Sequence, residues 1–397
     1  MSLTQGQTEI IKATVPVLQE HGEVITRTFY KNMFEAHPEL KDIFNMANQA
    51  KGDQPKSLAA SVLAYAANID QLANLGPAVA KIAHKHCSLD ILPEHYPIVG
   101  ENLLKAIGQV LGNAATPEIV DAWGAAYGQL AEIMISIERA MYEEDASHGW
   151  PGFKPFRVSS KQRESGVITS FTLVPADRKP LPLHRAGQYL SIRFEGIGEN
   201  VEMRQYTISC APNLNHYRIS VKREEGGLIS NHLHDNVQEG DEVFIHVPHG
   251  DFFLDEEATR PIALLSGGVG VTPMLAMLER MLDLRSPREV LFVHAVIDGS
   301  VHAFSKRLRE FASANSHVST VVLYEAPKEE DVLGEHYDLA GRVSAEALDG
   351  KLLKDAECYF CGPRGFMEAV NETLAELGVP RERRRYEVFG PTVALSQ

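Results

Sequence analysis

The chain has 397 residues, of which 44% are hydrophobic and 23% charged, values that are ordinary for a folded globular protein and exclude a largely disordered one. Its formal net charge of -15 disfavours a nucleic-acid partner or an anionic membrane surface. No apolar stretch is long enough to cross a bilayer and no cleavable leader is recognisable, so we expect a cytoplasmic protein.

The first third of the chain is predicted to be all-helical. From Thr4 to about Glu143 apolar residues recur at helical spacing, with turn residues only at the joints. The last helix is the clearest, since Pro117 begins it and an acidic stretch at 143–145 ends its apolar face. That face carries Ile119, Trp123, Tyr127, Leu130, Met134 and Met141.

Within this helical part, His86 is a candidate haem ligand. It follows Val79, Ile82 and Ala83 on the apolar side of a short helix, and neutral imidazole is the common axial ligand of haem iron. His84 lies about 200° away around the helix and cannot share that face. A lone histidine of this kind is more often an ordinary packed residue, so the residues around it decide between the two interpretations.

Upstream of His86, aromatic and polar residues occur in a suggestive order. Tyr30 lies on an apolar helical face, Phe44 follows a proline-containing turn, and Gln54 and Leu58 are four apart on one helical face. The series resembles the distal side of a globin, in which Phe44 would wedge the haem while Tyr30 and Gln54 would hydrogen-bond bound oxygen. Each residue alone is compatible with a core aromatic or a surface amide, but the ordered series favours the globin.

A carboxylate falls on the core face of the last helix. Glu138 shares the arc of Tyr127 and Met134, where a buried acid is costly unless it is hydrogen-bonded. This pattern resembles the flavohaemoglobins, and the resemblance implies that Glu138 works with Tyr96 on a proximal histidine, His86. A carboxylate on the far imidazole nitrogen makes the ligand more electron-donating, which favours redox chemistry. The alternative is a glutamate tolerated near solvent.

The hydrophobic period changes after a turn-rich linker at about residues 146–155. Short alternating segments at 167–174, 189–194, 217–222 and 242–247 predict an antiparallel barrel or sandwich. From about residue 260 the pattern becomes strand–helix alternation, with an apolar run at 261–265, a helical segment at 274–284 and further strands at 290–296, 318–324 and 358–360. That alternation predicts a doubly wound parallel sheet.

One strand of the expected barrel carries a candidate flavin-binding motif. Alternation places Arg204 and Tyr206 on one face, where Arg offers a fork to a pyrophosphate and Tyr a plane for the flavin ring. The run is similar to the Arg-x-Tyr-Ser motif of the ferredoxin reductase family, with Thr207 in place of serine and Ala186 in place of a frequent proline. Further flavin-site candidates, in family order, are Tyr189, Gln205, Lys222, Gly227, Ser230, Glu387, Val388, Phe389, Gly390 and Pro391.

A glycine-rich turn follows the first buried strand of the last region and precedes a helix. Glycine lets backbone amides approach a dinucleotide phosphate, and the helix N-terminus adds a favourable dipole. A structural turn would look similar, but here a Cys-Gly-Pro turn follows a later strand, as in the reductase family's nicotinamide site. The candidate residues are Gly267, Gly268, Val269, Gly270, Val271, Thr272, Pro273, Cys361, Gly362 and Pro363.

Cys358 and Cys361 form the single CxxC pair of the sequence. A redox or zinc role would need both thiols on one side, whereas the flanking residues predict a strand in which positions three apart face opposite sides. No second pair follows, so we favour two structural thiols. Four cysteines in all are too few for a disulfide framework.

The resemblance covers nearly the whole chain and implies three domains: a haem-binding globin at 1–146, an FAD-binding β-barrel at 147–260 and an NAD(P)H-binding α/β domain at 261–397. This order, with Lys85 beside the histidine, matches bacterial and fungal flavohaemoglobins more closely than stand-alone reductases. Lys85 and Glu387 are expected to tune the redox centres. The implied cofactors are haem b, FAD and NAD(P)H.

The family resemblance also implies an activity, nitric oxide dioxygenase: NAD(P)H reduces FAD, FAD reduces the iron, and the oxygenated haem converts nitric oxide to nitrate. Nitric oxide, oxygen and NAD(P)H would be the partners, with the haem pocket a candidate site for a lipid or other hydrophobic ligand. One chain can hold all parts, so we expect a monomer without an obligate protein partner. Two alternatives stay open, a haem peroxide, hydroperoxide or quinone reductase and a haem-based gas sensor; the sensor lacks an output domain.

Overall fold

The computed structural model describes residues 3–390 of the chain. These residues form two compact units, one made of 3–153 with Arg193–Arg204 and the other of Lys154–Ile192 with Gln205–Gly390. Within the described part, no helix has both the length and the apolar character needed to span a membrane.

The first region is helical, as predicted, with helices between residues 5 and 147. Thr4 caps the first helix through a reciprocal capping box with Gln7, and Pro117 occupies the first turn of the last helix, where its missing N–H costs nothing. The helices are α1 (Gln5–Ala36), α2 (Met46–Lys51), α3 (Asp53–Ala67), α4 (Gly76–Cys87), α5 (His95–Leu111) and α6 (Pro117–Ser147).

The helical core joins α1, α3, α5 and α6. Trp123 packs in this core, and its indole N–H donates to the hydroxyl of Thr14 at 3.2 Å, which satisfies the one polar atom of the ring. Helices α5 and α6 approach closely at Gly100, because a Cβ atom there would lie 2.5 Å from the Tyr127 ring. This glycine lets Tyr127 lie against α5.

Six strands then form one sheet in the order β4-β3-β6-β1-β2-β5. The pairs β1–β2 and β2–β5 are antiparallel, and a bridge between Ile208 and Ile219 links the ends of the order, which closes the sheet into a barrel. The elements are β1 (Phe153–Arg163), β2 (Ile168–Pro175), β3 (Tyr189–Phe194), β4 (Glu202–Thr207), β5 (Tyr217–Lys222), α7 (Leu228–Asp235) and β6 (Glu242–His246).

The last region is a parallel sheet in the order β10-β9-β8-β7-β11-β12, flanked by helices. The chain leaves β7 in one direction for β8 and returns to its other side at β11, so the topological switch point lies between β7 and β11. The elements are β7 (Ile262–Gly267), α8 (Val271–Asp283), β8 (Val290–Val296), α9 (Ser305–Ala314), β9 (Val318–Tyr324), β10 (Leu339–Ala340), α10 (Ala345–Leu348), β11 (Glu357–Cys361), α11 (Arg364–Glu376) and β12 (Arg384–Glu387).

The predicted fold class is confirmed, with small differences at element ends. Helix α8 begins at Val271, three residues before the predicted start, because Pro273 is tolerated in the first turn of a helix. Strand β1 begins at Phe153, inside the stretch that the sequence indicated as a linker. Cys358 and Cys361 lie on opposite faces of β11, as the strand period predicts, and each packs in a different apolar core.

Candidate active site

Three helices bring His86, Tyr96 and Glu138 together. The Nδ1 atom of His86 lies 2.8 Å from Oε1 of Glu138 and 3.1 Å from the Tyr96 hydroxyl, which itself donates to the same carboxylate oxygen at 2.6 Å. Glu138 is 2% exposed, so its charge is out of water and depends on these two donors. The alternative of a glutamate near solvent is therefore wrong.

The Tyr96 hydroxyl is a permanent donor in this arrangement. Burial, and after it the hydrogen bond to Glu138, raise the pKa of Tyr96, so the phenol stays protonated throughout the physiological range. Tyr127 donates to the backbone carbonyl of Tyr96 at 2.6 Å and holds this part of α5 in place. Sequence reasoning assigned Tyr127 only to an apolar stripe, since a hydroxyl at the end of an aromatic ring does not alter the helical period.

The surroundings of His86 fit a haem group. Both contacts of the imidazole use Nδ1, which leaves Nε2 as the nitrogen for iron, and metal-binding histidines are usually anchored in this way. Large apolar side chains of this helical region are only half-buried, as expected where a flat apolar group covers them. They include Phe44, Leu58, Val62, Leu75, Val79, Ile82, Ile98 and Val99.

A second group of polar and aromatic residues surrounds Tyr30. The side chains of Gln49 and Gln54 lie close to its hydroxyl, and burial raises the pKa of Tyr30 strongly although both amides act to lower it. The Tyr30 ring lies 5.8 Å from that of Phe44 and 5.9 Å from that of Phe34. The structure thus brings together Tyr30, Phe44 and Gln54, as the order of the series suggested.

Gln49 was missed by sequence reasoning. It lies on α2, a helix too short to show a period, and only its contact with Tyr30 marks it. Its Nε2 atom is buried and has no hydrogen-bond partner among residues 3–390. A buried amide donor without a partner is costly, which fits a pocket that is completed by a bound ligand.

The flavin-motif residues of β4 are held by local contacts. The Arg204 guanidinium lies 2.8 Å from the Glu202 carboxylate and also donates to the carbonyl of Met203 at 2.8 Å. Gln205 donates to the hydroxyl of Ser191 at 3.2 Å, and Thr207 ends the strand as a buried residue. These contacts fix the direction of the Arg204 guanidinium group.

The turn after β5 is built around Gly227, the residue before α7. A Cβ there would lie 2.5 Å from the Ser230 hydroxyl, which accepts the backbone N–H of Glu224 at 3.1 Å. Lys222 pairs with the Glu224 carboxylate at 2.9 Å on the surface. Tyr189 begins β3 in a bridge to the segment after β6, separate from this turn in the sequence.

The two predicted nicotinamide turns meet at the switch point. A Cβ on Gly270 would lie 2.1 Å from the carbonyl oxygen of Cys361, and one on Gly362 would lie 3.1 Å from the Gly267 Cα atom. The N-termini of α8 and α11 therefore begin beside each other, with Pro363 preceding α11. Paired helix N-termini at a switch point fit the phosphates of a dinucleotide.

The C-terminal candidates follow β12. Glu387 ends this strand, Val388 packs against the neighbouring core, Phe389 is 46% exposed and Gly390 has a φ of +134°, a conformation that favours glycine. Pro391 lies outside the described residues. Elsewhere, Lys85 is exposed beside His86, Gly268 and Val269 lie in the turn that leads into α8, and Thr272 lies in the first turn of that helix.

Comparisons with known proteins assign each region to a family. Residues 27–134 match the globins, 155–254 the oxidoreductase FAD-binding domain and 264–372 the oxidoreductase NAD-binding domain. A flavohemoprotein of Deinococcus radiodurans is 55% identical over 98% of both chains, and one of Bacillus subtilis is 47% identical over 98% of both. The chain belongs to the flavohaemoglobin family.

Solved structures agree with this flavohaemoglobin assignment. The flavohemoglobin of Malassezia yamatoensis, solved with bound FAD and heme, has a TM-score of 0.88 at 29% identity and covers 98% of this chain and 100% of its own. The FAD/NAD-binding domain of nitric oxide dioxygenase from Vibrio cholerae has a TM-score of 0.55 at 38% identity and covers 60% of this chain and 100% of its own. As a family member, the chain is an NAD(P)H-dependent oxidoreductase that uses haem and FAD.

Proposed function

We propose that this chain is a nitric oxide dioxygenase, in which one NAD(P)H, two nitric oxide and two oxygen molecules give NAD(P)⁺, two nitrate ions and a proton. The observation that carries the proposal is the buried Glu138 carboxylate on Nδ1 of His86. A histidine whose second ring nitrogen bonds to a carboxylate donates more electron density to iron than a histidine without such a partner. This favours redox turnover over oxygen storage. The name of the Vibrio cholerae relative supports the same activity.

In this proposal the cofactors supply a hydride, its division into single electrons and an oxygen-binding iron. His86 would hold the iron through Nε2, while Tyr96 and Glu138 keep the imidazole oriented. Tyr30 would donate a hydrogen bond to a ligand in the pocket, with Gln49 and Gln54 fixing its hydroxyl. Phe44 and Leu58 would pack on the haem and exclude water.

The reductase part of the proposal assigns the flavin to residues 204–207, Tyr189, Lys222, the 227–230 turn and the 387–391 segment. The nicotinamide would bind at 267–273 and 361–363, and Lys85 and Glu387 would tune the electron transfer. The domain division at 146 and 260, the monomeric state and the cytoplasmic location belong to the same proposal. A hydrophobic ligand in the haem pocket remains a prediction.

The decisive experiment is the stoichiometry of the purified, haem- and FAD-loaded protein under excess oxygen. We expect the reductase to consume nitric oxide and NAD(P)H in a ratio of two to one, with nitrate as the product, because each nicotinamide provides two electrons and each turnover uses one. A rate of NAD(P)H oxidation that does not change with nitric oxide but rises with peroxides or quinones would support the alternative reductase. Gas binding without NAD(P)H oxidation would support a sensor.

Tyr30→Phe is expected to speed oxygen release from the reduced protein by roughly two- to twelvefold, since a hydrogen bond contributes about 0.5–1.5 kcal/mol. Flash photolysis or stopped-flow mixing measures the dissociation rate. Tyr65→Phe is the matched control, because this buried tyrosine of the same core donates to the carbonyl of Ala126. Equal off-rates in the Tyr30 variant and the unaltered protein would exclude the hydrogen bond to the ligand.

A further inference from the structure

A buried carboxylate in the second unit joins helix α8 to the barrel. Glu279 of α8 is 7% exposed, and its Oε1 atom accepts from the guanidinium groups of Arg218 at 3.0 Å and Arg307 at 2.8 Å. Its Oε2 atom accepts the backbone N–H of Ala211 at 3.1 Å. Arg307 belongs to the neighbouring helix α9, whereas Arg218 and Ala211 belong to the barrel.

The barrel groups that hold Glu279 lie next to the flavin motif in the sequence. Arg218 is on β5, the strand that ends at Lys222, and it also donates to the backbone carbonyl and, at 3.2 Å, to the hydroxyl of Ser209. Ser209 and Ala211 follow β4 directly, within a few residues of Arg204 and Thr207. One carboxylate is thus connected to β5 and to the segment that follows β4, and both of these strands carry proposed flavin-binding residues.

The same carboxylate is tied to the nicotinamide turn through its own helix. Helix α8 starts at Val271, immediately after the 267–270 turn, and Glu279 lies about two turns further along. A helix is stiff over this length, so a shift at Glu279 is transmitted to the turn.

Apolar packing also joins α8 to the barrel, but it does not fix the position of the helix relative to the strands. Ile168, Ala186 and Phe252 share a core with Met277 and other residues of α8. Burial of apolar surface is non-directional, so such a face tolerates small sliding motions. Charge-assisted hydrogen bonds are short and directional, so the Glu279 contacts define one relative position.

The start of α9 is also constrained around this carboxylate. The Arg218 guanidinium lies 5.7 Å from the ring of Phe304, a buried residue whose φ of 61° is unfavourable for a side chain other than glycine. Backbone strain of this kind persists only where the surroundings over-determine the conformation. The contacts of Glu279 with Arg218 and Arg307 are part of these surroundings.

We propose that Glu279 is a positioning residue for hydride transfer: by holding α8 against the flavin-bearing strands, it sets the distance between the nicotinamide and the flavin. This inference rests on the proposed flavin and nicotinamide sites, but not on the reaction with nitric oxide. Transfer between two bound rings depends steeply on their separation, and a misplacement of about 1 Å costs roughly a hundredfold. A neutral side chain at this position keeps the shape but loses the charge that orders both guanidinium groups.

The test uses Glu279→Gln in the full-length, cofactor-loaded protein. Flavin reduction by NADH in anaerobic single turnover is expected to slow by about tenfold or more, with FAD and haem contents unchanged. A second readout needs no turnover: the change in flavin visible circular dichroism on adding NAD⁺ is expected to shrink. Glu256→Gln is the matched control, because it breaks a 2.9 Å pair with Arg280 on the same helix without touching the flavin strands.

Two further variants separate positioning from general stability. Glu279 and Arg218 act as a unit, so Arg218→Gln combined with Glu279→Gln should slow flavin reduction no more than the slower single variant. Glu279→Asp keeps the charge with a shorter reach and should fall between Gln and the unaltered protein; it also serves if the Gln variant does not fold.

Unchanged flavin reduction and circular dichroism in the Gln and Asp variants would overturn the proposal, as would an equal loss in Glu256→Gln. Single-turnover reduction involves no nitric oxide. A protein that fails as a dioxygenase but shows the Glu279 effect therefore refutes the proposed function alone.

Discussion

Replacing Glu138 with glutamine is expected to leave haem bound but to lower steady-state turnover with nitric oxide by roughly 10- to 100-fold, the usual effect of removing a partner of a metal-binding histidine. The carboxylate accepts from both His86 and Tyr96, at 2.8 Å and 2.6 Å. An amide oxygen in the same place could still accept both hydrogen bonds, but it brings no negative charge to the imidazole. Turnover with nitric oxide and the haem absorption spectrum are the measurements.

Glu143→Gln is the matched control, because it makes the same chemical change at an exposed position of α6. It should retain full turnover. If Glu138→Gln also turned over at the unaltered rate with its haem in place, the carboxylate would have no part in the mechanism, and the observation on which the dioxygenase proposal rests would lose its force.

Gly270→Ala is expected to abolish most NAD(P)H-dependent flavin reduction and to lower the free energy of unfolding by about 1–3 kcal/mol. Its added Cβ would lie 2.1 Å from the carbonyl oxygen and 2.4 Å from the carbonyl carbon of Cys361. Both atoms are backbone, so one of the two turns at the switch point must move. That movement opens the proposed nicotinamide site and disturbs the start of α8.

The control for this change is Gly365→Ala in the first turn of α11. A Cβ there meets no atom within 4 Å, and alanine favours the helix, so stability should stay equal or rise slightly. Chemical denaturation and anaerobic flavin reduction measure the two effects. A Gly270→Ala protein with normal stability and normal reduction by NAD(P)H would contradict the close packing of the two turns.

Local periodicity explains how much of this molecule could be predicted. The strands at Tyr189–Phe194, Tyr217–Lys222, Val290–Val296 and Val318–Tyr324 have the bounds that their apolar patterns indicated. A strand or helix that buries one face has apolar residues at its own period. This spacing can be recognised from neighbouring residues without knowledge of the fold. Segments without a period, such as α2 with Gln49, left no such trace.

The amino-acid sequence alone therefore determined the order of an all-helical region, an antiparallel barrel and a parallel sheet, and through motif resemblance it indicated His86, Glu138 and the paired glycine turns. Only the tertiary structure decided which atoms touch. Three side-chain contacts depend on how distant elements pack: His86 with Glu138, Tyr30 with Gln49, and Glu279 with two arginines. No local sequence pattern encodes that packing.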